Sequence, residues 1–196
     1  MNIYITMILG ALGILIGLFL PFICDQIILY KNKKISLHFK TYVFNKKIYI
    51  LFLILNGLLW IYSSAKFEYT FIALLVSLIF TTAIIITIID LRIRIIPNEL
   101  VILMFFLSLP FQIFYFGWMS LLYAFICMII VGFIFTLVGK FVGLNQVGAG
   151  DIKLASVMGF LLGYPYIMIA LIGISVSLVL FCLIGLAFKK RKRQIK

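Results

Sequence analysis

Long apolar runs separated by short polar breaks organise the whole chain. The runs extend from Ile3 to Tyr30, Ile48 to Ala65, Thr70 to Ile89, Pro97 to Gly117, Trp118 to Val138, Asp151 to Gly163 and Tyr166 to Phe188. A helix needs about 20 apolar residues to cross a bilayer's hydrocarbon core. The pattern therefore predicts an all-α polytopic membrane protein of about seven transmembrane helices, one integral membrane domain over residues 1–196 with no room for a separate soluble domain. No basic residue precedes the first run and no small-residue cleavage site closes it, so it is expected to stay as a first span. Gly13 and Gly17 within it have the small-x-x-x-small spacing that lets helices approach closely.

Composition agrees with the pattern. Hydrophobic residues make up 66% of the chain and charged residues 11%, and the mean hydropathy is +1.30, far from soluble usage. The net charge of +12 would suit nucleic acid, but its placement argues otherwise. Lys and Arg cluster between Lys31 and Lys47, where six lysines stand, and in the tail Lys189 to Lys196. Both clusters abut apolar runs, as the positive-inside rule requires, and suit contact with anionic lipid headgroups. They put the lysine-rich loop and the C-terminus in the cytoplasm and the N-terminus outside. Cys24, Cys127 and Cys182 lie in apolar runs with no C-x-x-C spacing, so neither a disulfide framework nor a zinc site is expected. His38 is a lone loop histidine with no assigned role, and no metal or cofactor is expected.

Carboxylates are the rare chemistry here, five in all. Asp25 marks the end of the first run, and Glu99 suits the first turn of a helix. Asp90 and Asp151 stand at the boundaries of apolar runs, where carboxylates are costly and tend to be functional. Ala83 and Thr87 share a helical face with Asp90, a smaller and more polar face that suits a helix turning Asp90 towards protein. The connection Leu91 to Asn98 contains Pro97, which disfavours helix at Ile96 and is tolerated as a first helical residue. Pro110 is a candidate kink.

Asp151 closes the turn Gly148-Ala149-Gly150-Asp151, at the end of a glycine-rich stretch from Gly139. Gly148 and Gly150 permit backbone conformations barred to other residues and close approach of an extended chain. Asp151, Ala155, Gly159 and Gly163 recur every four residues, a row along which another helix can pack tightly. Two carboxylates brought together can share one proton and act as an acid and base pair on a peptide bond. That chemistry requires no metal and no covalent intermediate.

The stretch Asp90-Leu91-Arg92-Ile93-Arg94-Ile95-Ile96-Pro97-Asn98 resembles the first aspartate motif of the type IV prepilin peptidases, an aspartate followed by basic residues and Ile-Pro-Asn. Gly148-Ala149-Gly150-Asp151-Ile152-Lys153-Leu154 resembles their second, the G-x-G-D motif of membrane aspartyl proteases. The resemblance runs from about Thr70 to the C-terminus. It implies an endopeptidase that removes the short basic leader of prepilin or pseudopilin precursors after a glycine, with Asp90 and Asp151 as catalytic residues. It further implies that Lys153, Pro97 and Asn98 support the site. Fuller members carry paired Cys-x-x-Cys motifs in the first cytoplasmic loop and a Gly-Ser-Phe-x-Asn stretch. Here Lys31 to Lys47 has no cysteine and the other stretch reads Gly17-Leu18-Phe19-Leu20-Pro21, so proteolysis is expected without the family's N-methylation. The rival classes are a small ion- or proton-coupled transporter using its carboxylates and a catalytically silent paralogue. Against a transporter, neither aspartate is near the middle of a span and no inverted repeat is visible.

Overall fold

A computed structural model describes residues 3–35, 46–142 and 148–193. Among them the chain forms seven α-helices: α1 (Ile3–Ile35), α2 (Lys46–Lys66), α3 (Thr70–Ile93), α4 (Asn98–Phe111), α5 (Trp118–Val142), α6 (Ala149–Leu162) and α7 (Tyr166–Arg193). A π-helical turn, Gln112–Phe116, continues α4. Five of these stretches are long and apolar enough to cross a membrane, α4 counting together with its π turn. The fold is that of a helical polytopic membrane protein.

Most helices run past the ends set by hydropathy. α1 continues to Ile35, α3 to Ile93 and α5 to Val142. Backbone hydrogen bonding does not stop where the side chains turn polar, so a lipid boundary need not be a helix boundary. The glycine-rich stretch expected as a loop from Gly139 is accordingly helical as far as Val142. Pro97 stands one place before α4 as its N-cap instead of being its first residue. Pro110 lies inside α4, and the π turn begins two residues later. Proline removes one backbone donor, and a widened turn is one way a helix absorbs that loss.

α1, α2 and α3 form one packed group, while α5 and α7 pack on α6, and α4 joins the groups by packing on both α3 and α6. α3 is the most buried span, with 72% of its apolar window covered against 11–33% for the others. Its isoleucines Ile72, Ile79, Ile88 and Ile89 share a core with Leu20 and Ile28 of α1, Met104 of α4 and Val157 of α6.

Close approach and polar links hold the group of α1, α2 and α3 together. A side chain at Gly13 would collide with Trp60, and one at Gly17 would press on the Leu53 backbone. Both glycines of the expected spacing therefore face α2. The Asn56 amide donates to the Gly13 carbonyl at 2.7 Å and accepts from the Thr81 hydroxyl at 2.9 Å, while the Trp60 indole N–H donates to Thr81 Oγ1. The Ser63 and Ser77 hydroxyls bond to each other one turn away. Lipid offers these groups no alternative partner, so each is satisfied within protein.

On the other side, the small-residue row of α6 lies against α5 and α7. A Cβ at Gly159 would stand 3.0 Å from the Cys127 carbonyl oxygen and 3.1 Å from Val131. Ala155 packs with Cys127, Val131 and Ile167. Gly159→Val should therefore cost about 1–3 kcal/mol through overpacking and lower the melting temperature in detergent. A variant melting with the parent would show that α6 is not held by this approach. At the far end of α6 the buried Gln112 amide donates to the Phe160 and Leu161 carbonyls at 2.9 and 2.8 Å, capping the helix from the π turn.

Candidate active site

The end of the bundle where α3 finishes and α4 and α6 begin carries both motif aspartates. Asp90 lies in the last turn of α3, not beyond the helix, and is half-buried. Arg94 closes that helix in the left-handed conformation, φ 55°, its N–H donating to the Asp90 carbonyl oxygen at 2.7 Å. A side chain with a Cβ is strained there, yet this placement brings Arg94 to the same cavity as the Asp90 carboxyl.

Asp151 lies in the first turn of α6, and its exposed carboxylate accepts from the Gly148 N–H at 3.2 Å. The glycines around it act differently from expectation. Gly148 has φ −65° and ψ 139°, and Gly150 is helical without a positive φ, so neither uses a conformation reserved for glycine. Space is what they supply. A Cβ on Gly148 would lie 2.9 Å from Asp151 Oδ2, and one on Gly150 would lie 3.0 Å from Ile96 Cβ. Gly150 thereby lets the start of α6 approach the connection that follows Asp90.

Asp90 and Asp151 line one cavity of about 330 Å³, with Arg94, Asn98, Gly148 and Lys153 also on its wall. Asp90 stands within electrostatic reach of both Asp151 and Arg94. The Lys153 ammonium donates to Asn98 Oδ1 at 3.2 Å, tying the start of α6 to the start of α4 and so one motif to the other. Pro97 is fully buried and holds the connection between Asp90 and Asn98. A second, mostly apolar cleft of about 490 Å³ between α4, α5 and α6 shares Asn98 and Lys153 with the first. On α3, Thr87 is exposed and Ala83 half-buried among covered isoleucines. The polar stripe expected to face protein is thus the open strip of this helix, while its neighbours cover the bulkier isoleucine faces.

Among the described residues no group of three His, Cys, Asp or Glu side chains could hold a metal ion. His38 lies outside the described residues, as does the Cys182 side chain; Cys24 and Cys127 are buried.

Two ion pairs went unforeseen in the sequence. Arg92 Nη1 lies 2.5 Å from Asp25 Oδ1, and Lys31 Nζ lies 2.7 Å from Glu99 Oε2. Each joins α1 to an element of the site. Asp25 and Arg92 carried one available signal, a charge of each sign inside apolar sequence, since such charges tend to pair. Their separation of 67 residues left the pairing itself unreadable.

A family model, that of the type IV leader peptidase family, matches residues 75–184. The chain belongs to the type IV leader peptidase family. The matched span, more than half the chain, begins within α3, ends within α7, and contains both Asp90 and Asp151. α1 and α2 lie outside it. No curated protein and no solved structure matched the chain. Membership in this peptidase family makes the cavity of Asp90 and Asp151 the candidate active site.

Proposed function

We propose that the protein is a membrane aspartic endopeptidase that cleaves the basic leader from type IV prepilin-like or pseudopilin precursors, using Asp90 and Asp151. The observation that carries this is their place on one cavity wall, reached from motifs 61 residues apart. One carboxylate draws a proton from water as the water attacks the peptide carbonyl; the other donates to the carbonyl oxygen. Asp151, at the N-terminal pole of the α6 dipole, takes the role of base, and Asp90, at the C-terminal pole of the α3 dipole, that of acid. Lys153, Asn98 and Pro97 hold the two motifs in register, Gly150 lets α6 close against Ile96, and Gly148 keeps the Asp151 carboxylate unobstructed.

The cavity end faces the cytoplasm in this proposal, with the N-terminus outside and about seven helices in a bacterial cell membrane. Support comes from charge. The helices flanking the lysine-rich stretch 31–47 meet that end, α1 through Asp25 and Lys31 and α2 at its start, and α7 returns towards it along α6. Proteolysis without N-methylation follows from a first loop that lacks cysteine.

Coexpression with a candidate prepilin tests the proposal. Mass spectrometry should find the substrate shortened by its basic leader, cut after a glycine, only when this protein is present. If no basic-leader substrate is cut while proton flux into vesicles depends on Asp90 and Asp151, a transporter replaces the peptidase.

A further inference from the structure

α1 lies outside the family match, yet it grips the turn that carries Asp90. Arg92 is buried, and its Nε has no hydrogen-bond partner. Its Nη1 donates to Asp25 Oδ1 on α1. A buried guanidinium deprived of its carboxylate is strongly unfavourable, so this pair fixes where the last turn of α3 stands against α1. Residues two apart lie about 200° apart around a helix. Arg92 therefore holds the turn from behind, while Asp90 projects from its front into the cavity with Asp151. Beyond Arg92 the helix has only its left-handed closure at Arg94 before the connection to Pro97.

We infer that Asp25 is a positioning residue for the reaction: through Arg92 it sets the rotation and height of the last turn of α3, and with them the place of the Asp90 carboxyl opposite Asp151. The inference rests on the reading of Asp90 as catalytic. It makes α1 part of the working site, not only a membrane anchor. The Asn56 amide supplies a control, because it joins the same helix to α2 and α3 at Thr81, more than two helical turns before Asp90.

Asp25→Asn should lower kcat about 10- to 100-fold, the scale of a misplacement of about 1 Å, with KM within about twofold. Asp25→Glu should recover at least a third of the parent kcat. Asn56→Ala should leave kcat within about twofold even where its melting temperature falls as far as that of Asp25→Asn. A readout independent of activity uses Asp90→Cys with Asp151→Cys in a background whose native cysteines are replaced by alanine. Short bifunctional thiol reagents should cross-link this pair, and adding Asp25→Asn should cut the yield several-fold. Unchanged kcat and cross-linking in Asp25→Asn overturn the inference, as does an equal loss of kcat in Asn56→Ala. If Asp90→Asn itself retains full cleavage, the peptidase reading fails first; if it abolishes cleavage while Asp25→Asn has no effect, only the inference on Asp25 fails.

Discussion

Asp151→Asn and Asp90→Asn each remove cleavage of a prepilin substrate by about 10²–10⁴-fold, the contribution of a positioned acid or base, and Asp90→Asn keeps the larger residue of activity. The ordering follows from the proposed roles, Asp151 as base and Asp90 as acid. An asparagine amide can still donate to the substrate carbonyl oxygen, so at Asp90 it copies part of the acid's task. At Asp151 it cannot take the proton of the attacking water. The substitutions also differ in what they disturb locally. In Asp151→Asn the new amide would still offer an oxygen to the Gly148 N–H, the 3.2 Å contact that orients Asp151 at the start of α6, so loss there reports chemistry and not a collapsed turn. Single-turnover cleavage by purified variants in detergent, with melting temperatures measured in parallel, provides the check. Full activity in either variant removes the two-carboxylate mechanism, and a larger residue in Asp151→Asn reverses the assignment of acid and base.

Gly150→Val is expected to reduce cleavage about 10- to 100-fold while the helices still assemble. The position is helical, so the effect does not come through a forbidden backbone angle. It comes through Ile96, whose Cβ would stand 3.0 Å from the new Cβ. Ile96 precedes the buried Pro97 and has little freedom to retreat, so the start of α6 must move away from the connection behind Asp90. Displacement of a reacting group by about 1 Å can cost 10²-fold. Combining Gly150→Val with Ile96→Ala should not restore activity, because alanine keeps the atom that is met. Recovery in that double variant, measured in the same cleavage assay, would place the obstruction elsewhere.

Much of the helix order was legible because an apolar run about 20 residues long has few other uses. The helix ends were not, since Leu91 to Ile93 and Gly139 to Val142 continue a helix that hydropathy alone terminates. The motif aspartates were legible through their local company: Ile-Pro-Asn after one, paired glycines before the other. What surrounds them depended on tertiary arrangement. Asn56 with Thr81 and Trp60, Gln112 on the end of α6, and Asp25 with Arg92 are single polar side chains in apolar sequence, and each acquires meaning only when its distant partner is known. The glycine turn shows the same division. Its importance could be read from residue type, but the reason, room against Ile96 and the Asp151 carboxylate, required the neighbouring chain.

α6 has fourteen residues and is about 21 Å long, against a hydrocarbon layer of about 30 Å. Its start is level with that of α4, where Lys153 meets Asn98, while its far end stops at Gln112, four residues before the α4 stretch ends at Phe116, so the deficit of about 9 Å falls at the Gln112 end. Lipid meets such hydrophobic mismatch by thinning, or headgroups and water sink to fill it. In either case the dimple would lie over the turn from Gly163 to Pro165, opposite the cavity, and would leave Asp151 level with the ends of the neighbouring helices at the membrane face.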